Sequence, residues 1–159
     1  MDKLKEDFER IVREHKSTIY TVCYMFSKDE DEVQDLFQEA LINLWRGFGS
    51  FKGEAKVETW IWRVTLNTCI TVERKKKRRG EKVSIEMASN LFTDTDAASR
   101  QARMLHDRIH SLDLMDRAMV LLWLEDMSYE EIAAIVGISV KNVSVKLVRI
   151  KQKLVDNGK

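Results

Sequence analysis

The segment Ser128–Leu154, SYEEIAAIVGISVKNVSVKLVRIKQKL, predicts two helices joined by a short turn. Ser128 can cap the first helix, and Glu131, three residues later, completes a capping box. Gly137 suits the left-handed residue that ends a helix, and Ser139 can cap the next one. Two helices joined by so short a glycine-containing turn form a helix-turn-helix. In this motif the second helix enters the major groove of DNA and the first braces it against the backbone.

The second helix of the motif has an apolar face and an opposite, mostly polar face. The apolar residues recur at the helical period: Val143, Leu147, Ile150 and Leu154. The opposite face carries Lys141, Asn142, Val145, Val148, Arg149 and Gln152, with Lys146 on the flank. Arginine, asparagine and glutamine can read base edges, lysines can reach phosphates, and the two valines can meet thymine methyls. A plain surface helix packed on a neighbour is the alternative, but glycine, caps, period and cations together favour DNA binding.

A second amphipathic segment, WIWRVTLNTCITVERKKKRR, spans Trp60–Arg79. At 100° per residue one side collects Trp60, Arg63, Asn67, Thr71, Arg74 and Arg78. The other side collects Ile61, Trp62, Thr65, Leu66, Cys69 and Val72, which we expect in the core. The first side is a cationic, amide-bearing stripe headed by a tryptophan, which suits a single nucleic-acid strand.

The glycine-containing loop before this helix, Phe51–Ala55, is a candidate pocket for an unstacked base. The alternative is that Trp60 packs locally and the cations form a solvated helix end that the helix dipole favours. From the residues alone, both interpretations stay open. A membrane-surface role is weaker, because the opposite face is not bulky enough for deep insertion.

Composition and charge favour two helical modules. The chain has 159 residues, no proline and only six glycines, so long helices and short turns are expected. The net charge of +1 is built from blocks of −5 (residues 1–40), +7 (41–83), −6 (84–139) and +5 (140–159). Segregated cations allow a near-neutral protein to bind a polyanion, and the acidic blocks suit a different, basic partner.

The resulting fold prediction is all-α: two small helical domains joined by a flexible linker, with a helix-turn-helix in the C-terminal domain. Helices are expected at about 3–26, up to about 48, 57–77 and from 101 onwards. Ser27–Glu32 offers an N-cap followed by acids, which suits a helix start. The domain boundaries are 1–83, a linker at 84–100, and 101–159.

Other chemistry has little support in the sequence. Cys23 and Cys69 belong to no CxxC pair, so we expect two buried thiols. His106 and His110 are spaced i, i+4, but no HExxH motif or clear third ligand accompanies them, so we expect polar positions on a helix flank. Without a phosphate loop or a nucleophile–base pair, the chain is not expected to be an enzyme. The charged N-terminus and the lack of about 18 consecutive apolar residues predict a cytoplasmic location.

At this point the sequence resembles a known family. Asp31–Arg79, DEVQDLFQEALINLWRGFGSFKGEAKVETWIWRVTLNTCITVERKKKRR, is similar to region 2 of bacterial sigma factors. Leu112–Leu154, LDLMDRAMVLLWLEDMSYEEIAAIVGISVKNVSVKLVRIKQKL, is similar to their region 4. The short length, with no third domain between them, resembles the extracytoplasmic-function group. The resemblance covers about residues 17–154 in the right order and spacing.

The resemblance implies three binding surfaces. Residues matching the family's DLxQE segment, which docks on the clamp helices of the polymerase beta-prime subunit, are Asp35, Leu36, Gln38 and Glu39. Residues matching the part that melts and reads the minus-ten promoter element are Phe51, Lys52, Trp60, Arg63, Asn67, Arg74 and Arg78. Residues matching the reader of the minus-thirty-five element are Ser139, Lys141, Asn142, Ser144, Val145, Lys146 and Arg149.

The implied partners are RNA polymerase core, through the beta-prime clamp helices and the beta subunit, promoter DNA and an anti-sigma factor. No cofactor, metal, catalytic residue or small-molecule substrate is implied. The sequence departs from the family at Asp113, where members often have proline, at Met127, where they often have glycine, and near Ser144, where many have a second basic residue. The last departure leaves the promoter sequence open. The competing hypothesis is a stand-alone transcription factor that uses only its helix-turn-helix.

Overall fold

Seven helices and no strand form the part of the chain that the structure describes, which confirms the all-α prediction. The structure is a computed structural model, and it describes residues 2–51, 53, 56–79 and 97–156. The helices are α1 Asp2–Met25, α2 Glu30–Phe48, α3 Val57–Arg78, α4 Ala97–His110, α5 Leu114–Leu124, α6 Tyr129–Val136 and α7 Val140–Asp156. Helix α4 begins inside the range predicted as linker, and residues 84–96 lie outside the described part.

Helices α1, α2 and α3 pack pairwise into a first module. Within the predicted cap segment Ser27–Glu32, Asp29 caps α2 by accepting a 2.8 Å hydrogen bond from the Glu32 amide, whereas the Ser27 hydroxyl donates to the Cys23 carbonyl. The core side chains include Ile19, Val22, Phe26, Val33, Leu36, Leu44, Ile61, Trp62 and Leu66. The predicted inner face of α3 is therefore confirmed, except that Val72 is only partly buried.

Helices α5, α6 and α7 pack into a second module that contains the predicted helix-turn-helix. Ser128 and Glu131 form the complete capping box at the start of α6. Gly137 ends α6 with a left-handed backbone, at φ +86°. The Ser139 hydroxyl accepts a 3.1 Å hydrogen bond from the Asn142 amide at the start of α7. Local sequence therefore determines this motif almost completely.

Asp113, which departs from the family's usual proline, has a clear local role. Its carboxylate accepts a 2.9 Å hydrogen bond from the Asp116 amide and caps α5. Proline would only preset the backbone of a helix start, whereas aspartate also satisfies one of the free amide groups there. The departure therefore preserves the turn.

The two modules are in direct contact. Helix α3 packs on α5 and α6, and α4 packs on α1. His106 on α4 lies with its Nε2 3.3 Å from the Tyr24 carbonyl oxygen, and the two rings are 4.7 Å apart. The Arg117 guanidinium on α5 lies 5.0 Å from the centre of the Phe26 ring. These contacts bring α4 and α5 against the C-terminal end of α1 and the residue that follows it.

Arg117 and Glu73 are the centre of a buried polar cluster between the modules, since their exposed fractions are 3% and 1%. Arg117 donates from Nη2 to the carbonyl oxygens of His110 at 2.7 Å and Leu112 at 3.2 Å. Burial raises the pKa of Glu73, and Glu32 adds to the rise, whereas the cations of Lys76 and Arg117 oppose it. Arg117 therefore donates to two carbonyl oxygens and interacts electrostatically with the Glu73 carboxyl of the other module.

The prediction that His106 and His110 are polar positions on a helix flank is wrong. They are 1% and 4% exposed, because packing of α4 against α1 and α5 covers the flank that carries them. Burial lowers the pKa of His106. Burial, with the cation of Arg117 and then His106, lowers the pKa of His110 to about 3. Both histidines are therefore neutral at neutral pH.

The two cysteines are buried free thiols, as predicted. Although they are far apart in sequence, Cys23 on α1 and Cys69 on α3 are close enough to share a hydrogen bond. That hydrogen bond and burial raise the pKa of the Cys69 thiol well above its usual range. The two buried thiols act as small apolar groups between the two helices.

Candidate nucleic-acid interface

The predicted stripe on α3 is a surface of the first module. Asn67, Thr71, Arg74 and Arg78 are exposed, and the residues at its head, Trp60 and Arg63, are partly buried. Phe51, which precedes the helix, is also partly buried. The predicted site residue Lys52 lies outside the described residues. The stripe runs along about five turns of α3, on the side opposite the buried Ile61, Leu66 and Cys69.

Trp60 is part of an aromatic cluster at the head of this stripe. Its ring stacks on Phe51 with centroids 4.9 Å apart and lies 6.1 Å from Phe48. Gly47 also lies beside this ring: a Cβ there would be 3.5 Å from Trp60 Cζ2, an ordinary van der Waals contact. Trp60 therefore packs locally, as the simpler interpretation expects. Because it is only partly buried, it also keeps surface that a base can stack on.

Arg63, the first cation of the stripe, contacts the second module. Its Nη2 donates a 2.9 Å hydrogen bond to the carbonyl oxygen of Ala134 in the last turn of α6. Carbonyl groups in the last turn of a helix have no partner within the helix and carry the negative end of its dipole. The guanidinium thus supplies a donor that α6 itself cannot. This contact could not be predicted from the sequence, because the two residues are 71 positions apart.

The run of six cations, Arg74–Arg79, is not one uniform surface. Arg74, Lys75, Lys77 and Arg78 are exposed, but Lys76 is turned towards α2. Its Nζ lies 2.8 Å from the Glu32 carboxylate and 3.7 Å from that of Glu73. The i, i+3 spacing of Glu73 and Lys76 was a signal that sequence reasoning missed.

A groove of about 450 Å³ lies between α2 and the stripe. Its polar lining comprises Glu39, Asn43, Arg46, Asn67, Thr68, Thr71 and Lys75. Asn43 donates from Nδ2 to the Thr68 hydroxyl at 2.9 Å, which fixes the position of the amide. The stripe therefore continues onto α2, a neighbourhood that the projection of α3 alone does not reveal.

The acidic part of the first module forms a second groove, of about 310 Å³. It is lined by Asp29, Asp31, Glu32, Asp35, Leu36, Glu39, Val72 and Lys76. Asp35, Gln38 and Glu39 of the predicted polymerase-binding set are exposed, whereas Leu36 is 1% exposed and belongs to the core. Five carboxylates beside an apolar floor suit a basic, amphipathic partner.

The outward face of α7 is the third surface. Ser139, Lys141, Asn142, Val145 and Arg149 of the predicted minus-thirty-five set are exposed, and Ser144 and Lys146 are partly buried. Val143, Leu147 and Ile150, on the opposite side, are fully buried or nearly so. Lys151 lies 4.3 Å over the Trp123 ring, so its side chain packs on the module. The second helix of the motif is therefore packed against the module on its apolar face and exposed on its opposite face.

Comparison with known families matches both modules in the order seen here. The sigma-70 region 2 family model matches residues 11–79, and the sigma-70 region 4 model matches residues 102–154. This chain belongs to the extracytoplasmic-function group of sigma-70 factors. As an RNA polymerase sigma factor it directs core polymerase to specific promoters and helps to melt them. The stand-alone transcription factor hypothesis leaves the region 2 match unexplained.

This sigma factor is similar to curated relatives over almost its whole length. It is 27% identical over 164 residues to the RNA polymerase sigma-H factor of Pseudomonas aeruginosa, covering 94% of this chain and 85% of that protein. It is 27% identical, with 94% and 86% covered, to the ECF RNA polymerase sigma-E factor of Haemophilus influenzae. It is 25% identical, with 87% and 82% covered, to the RNA polymerase sigma factor SigV of Bacillus subtilis.

Solved structures share the fold. The sigma factor RpoE in complex with the anti-sigma factor NepR from Bartonella quintana superposes with a TM-score of 0.76 at 20% identity, covering 95% of this chain and 96% of that chain. CnrH in complex with the cytosolic domain of CnrY superposes with a TM-score of 0.69 at 23% identity, covering 96% and 87%. Within the described ranges, none of the helices combines the length and apolarity that crossing a bilayer requires.

Proposed function

We propose that this sigma factor divides its work among the three surfaces. The acidic groove of α2 binds polymerase core, the α3 stripe binds the separated minus-ten strand, and the outward face of α7 binds the minus-thirty-five duplex. The observation that carries the proposal is the separation of charge: carboxylates line one groove of the first module, and exposed cations lie along α3 and α7. Opposite charges on one small domain suit a protein that joins a basic partner to DNA.

For polymerase, the proposed partner elements are the beta-prime clamp helices, with the beta subunit as a further contact. Asp35 and Glu39 support this proposal because they are exposed and line a groove with an apolar floor, and Gln38 is exposed on the same helix. Leu36 supports it indirectly, because it packs in the core and holds the groove floor in place. Charged side chains at the edge of a groove mainly steer association and fix orientation.

We expect Asp35→Lys combined with Glu39→Lys to weaken binding to polymerase core by about 100-fold. The reason is that two attractive charges become repulsive towards a basic partner. The measurement is equilibrium binding of the full chain to core polymerase at several salt concentrations. Glu9→Lys with Glu14→Lys, a reversal of two exposed acids on α1, serves as the matched control and should bind nearly normally. Unchanged affinity of the first variant would show that the docking face lies elsewhere.

Trp60→Ala tests the minus-ten assignment. We expect it to reduce open-complex formation about ten-fold more than duplex binding, because stacking of a base on an aromatic ring contributes only once the strands have separated. Permanganate reactivity of thymines measures opening, and binding to a closed duplex measures the other step. Trp45→Ala, at a 45% exposed tryptophan of α2, should leave the ratio of the two unchanged. Equal losses in both assays from Trp60→Ala would contradict the single-strand assignment.

We further infer that the sigma factor has no catalytic activity of its own and works in the cytoplasm, where its polymerase partner is. An anti-sigma factor is a proposed partner as well. The support is that the similar solved structure of RpoE from Bartonella quintana is a sigma factor in complex with an anti-sigma factor, and that 96% of that chain is covered. Recovery of a single stoichiometric partner with the full chain, displaced by core polymerase, is the expected result of an affinity purification from the native host.

A further inference from the structure

The centre of the outward face of α7 is apolar. Val145 and Val148 are 43% and 57% exposed and lie three residues apart, so their Cβ atoms are neighbours on the helix surface. The buried stripe of Val143, Leu147 and Ile150 is on the opposite side. Val145 projects almost directly away from the module, at 100° per residue. The two valines therefore lie on the side of α7 that faces away from the module and towards a binding partner.

Packing within the described residues does not explain this pair. Helix α7 packs on α5 and α6 through its buried stripe, and the two valines stay outside these contacts. Single exposed apolar side chains are common on protein surfaces. This pair is different, because it lies between exposed Lys141 and Arg149 on the second helix of a helix-turn-helix. The flanking cations favour a polyanion as the binding partner, and the valines between them favour an apolar group on that partner.

Only one base presents an apolar group in the major groove. Thymine carries a C5 methyl group there, whereas the other base edges present hydrogen-bond donors and acceptors. Valine is branched at Cβ and holds one side-chain rotamer in a helix, so its methyl groups have fixed positions. Residues three apart place their Cβ atoms about 5–6 Å from each other, and base pairs stack about 3.4 Å apart. The two valines therefore match a single thymine methyl group or the methyl groups of two neighbouring base pairs.

We propose that Val145 and Val148 read thymine methyl groups at one or two neighbouring base pairs of the minus-thirty-five element. This inference rests on the proposed function of α7 and adds a base preference to it. Lys141 and Arg149 then hold the backbone and adjacent base edges on either side of the apolar contact. A protein partner that covers the same valines is the competing occupant, and the experiment separates the two.

The experiment first selects preferred duplexes by letting the full chain, with core polymerase, choose among promoters with a randomised minus-thirty-five region. Each thymine of the selected sequence is then replaced by uracil, which lacks only the methyl group. We expect replacement at one or two neighbouring positions to lower affinity about four-fold per methyl, from the transfer of one CH₂-sized group. Uracil at the remaining positions should have no effect.

Variants link the effect to the two side chains. Val145→Thr and Val148→Thr keep the shape but replace one methyl by a hydroxyl, so each should lose its preference for thymine over uracil. Val155→Thr is the matched control: this valine is 63% exposed on the same helix but lies about 10 Å further along the axis. It should keep the preference of the unmodified chain. Duplex binding by the full chain without polymerase is measured in parallel.

The outcomes are distinct. Promoter-directed transcription without any methyl effect overturns this inference and leaves the proposed function standing. Loss of polymerase or anti-sigma binding in the threonine variants, with thymine and uracil still bound equally, assigns the valines to a protein contact and also overturns it. A methyl effect in duplex binding that disappears in the variants supports the inference, even if transcription fails and the proposed function falls.

Discussion

Arg117→Ala is expected to lower the free energy of unfolding by about 3–5 kcal/mol. Arg117 is 3% exposed and donates to the carbonyl oxygens of His110 and Leu112. Removing it takes this donor from both carbonyls. It also removes a cation that lowers the pKa of the buried Glu73 carboxyl and so favours its ionised form. Lys76 is the other cation that acts on Glu73 in this direction. Urea unfolding followed by tryptophan fluorescence and by circular dichroism measures the change.

The chain offers a matched control for this substitution. Arg13 on α1 is exposed, so Arg13→Ala should change stability by no more than about 0.5 kcal/mol. Arg117→Met keeps most of the side-chain volume. It should lower the free energy of unfolding by less than Arg117→Ala does, because it leaves a smaller cavity. A cost below about 1 kcal/mol for Arg117→Ala would mean that the cluster contributes little to holding the modules together.

Acid should destabilise the protein through His110, by about 3 kcal/mol between pH 7 and pH 4. The pKa of His110 is lowered to about 3 from its ordinary value of 6.5. Below pH 6.5 the unfolded chain therefore binds a proton that the folded chain does not bind until about pH 3. Proton uptake by the unfolded state alone shifts the equilibrium towards unfolding across this window. The lowered pKa of His106 acts in the same direction.

Glu73 opposes this trend. Its pKa is raised above 4.5, so its contribution to stability is complete below pH 4.5 and is lost as the pH rises through the folded-state value. Acid therefore favours the folded state through Glu73 and the unfolded state through the two histidines. We expect the histidines to dominate, because there are two of them and the shift of His110 spans several pH units.

Urea unfolding of His110→Gln at a series of pH values isolates this contribution. Glutamine stays neutral, so the variant should lose most of the stability change between pH 7 and pH 4. His15→Gln, at the histidine of α1 outside the cluster, should keep it. If both variants kept the full pH dependence, the acid sensitivity would have to come from other groups.

Most of the fold could be predicted from short-range patterns. Ser128, Glu131 and Gly137 specify the ends of α6 through interactions within one or two turns, and the structure has each of them. The apolar periods of α3 and α7 likewise predict which sides are buried. Such features depend on neighbouring residues alone, so a single sequence contains the information that determines them.

The polar cluster between the modules could not be predicted in this way. His106, Glu73 and Arg117 are polar residues of types that are usually exposed. They are buried only because α4 and α5 pack against α1 and α3 across long separations in the chain. The same applies to Arg63, whose partner in α6 is 71 residues away. The charge pattern predicted an acidic part and a basic part in each module but not which side chains the modules bury between them.

The hydrogen bond from Arg63 to the Ala134 carbonyl has a thermodynamic consequence. A guanidinium that closes the end of α6 competes with the DNA phosphate or base that it is proposed to meet, so strand binding and this contact are coupled equilibria. Such coupling is reciprocal. If the contact lowers the affinity for the strand by a given factor, a bound strand lowers the equilibrium constant for forming the contact by the same factor. Substituting Arg63 would therefore remove a DNA ligand and an intramolecular competitor together, and its effect on promoter affinity is the difference of the two.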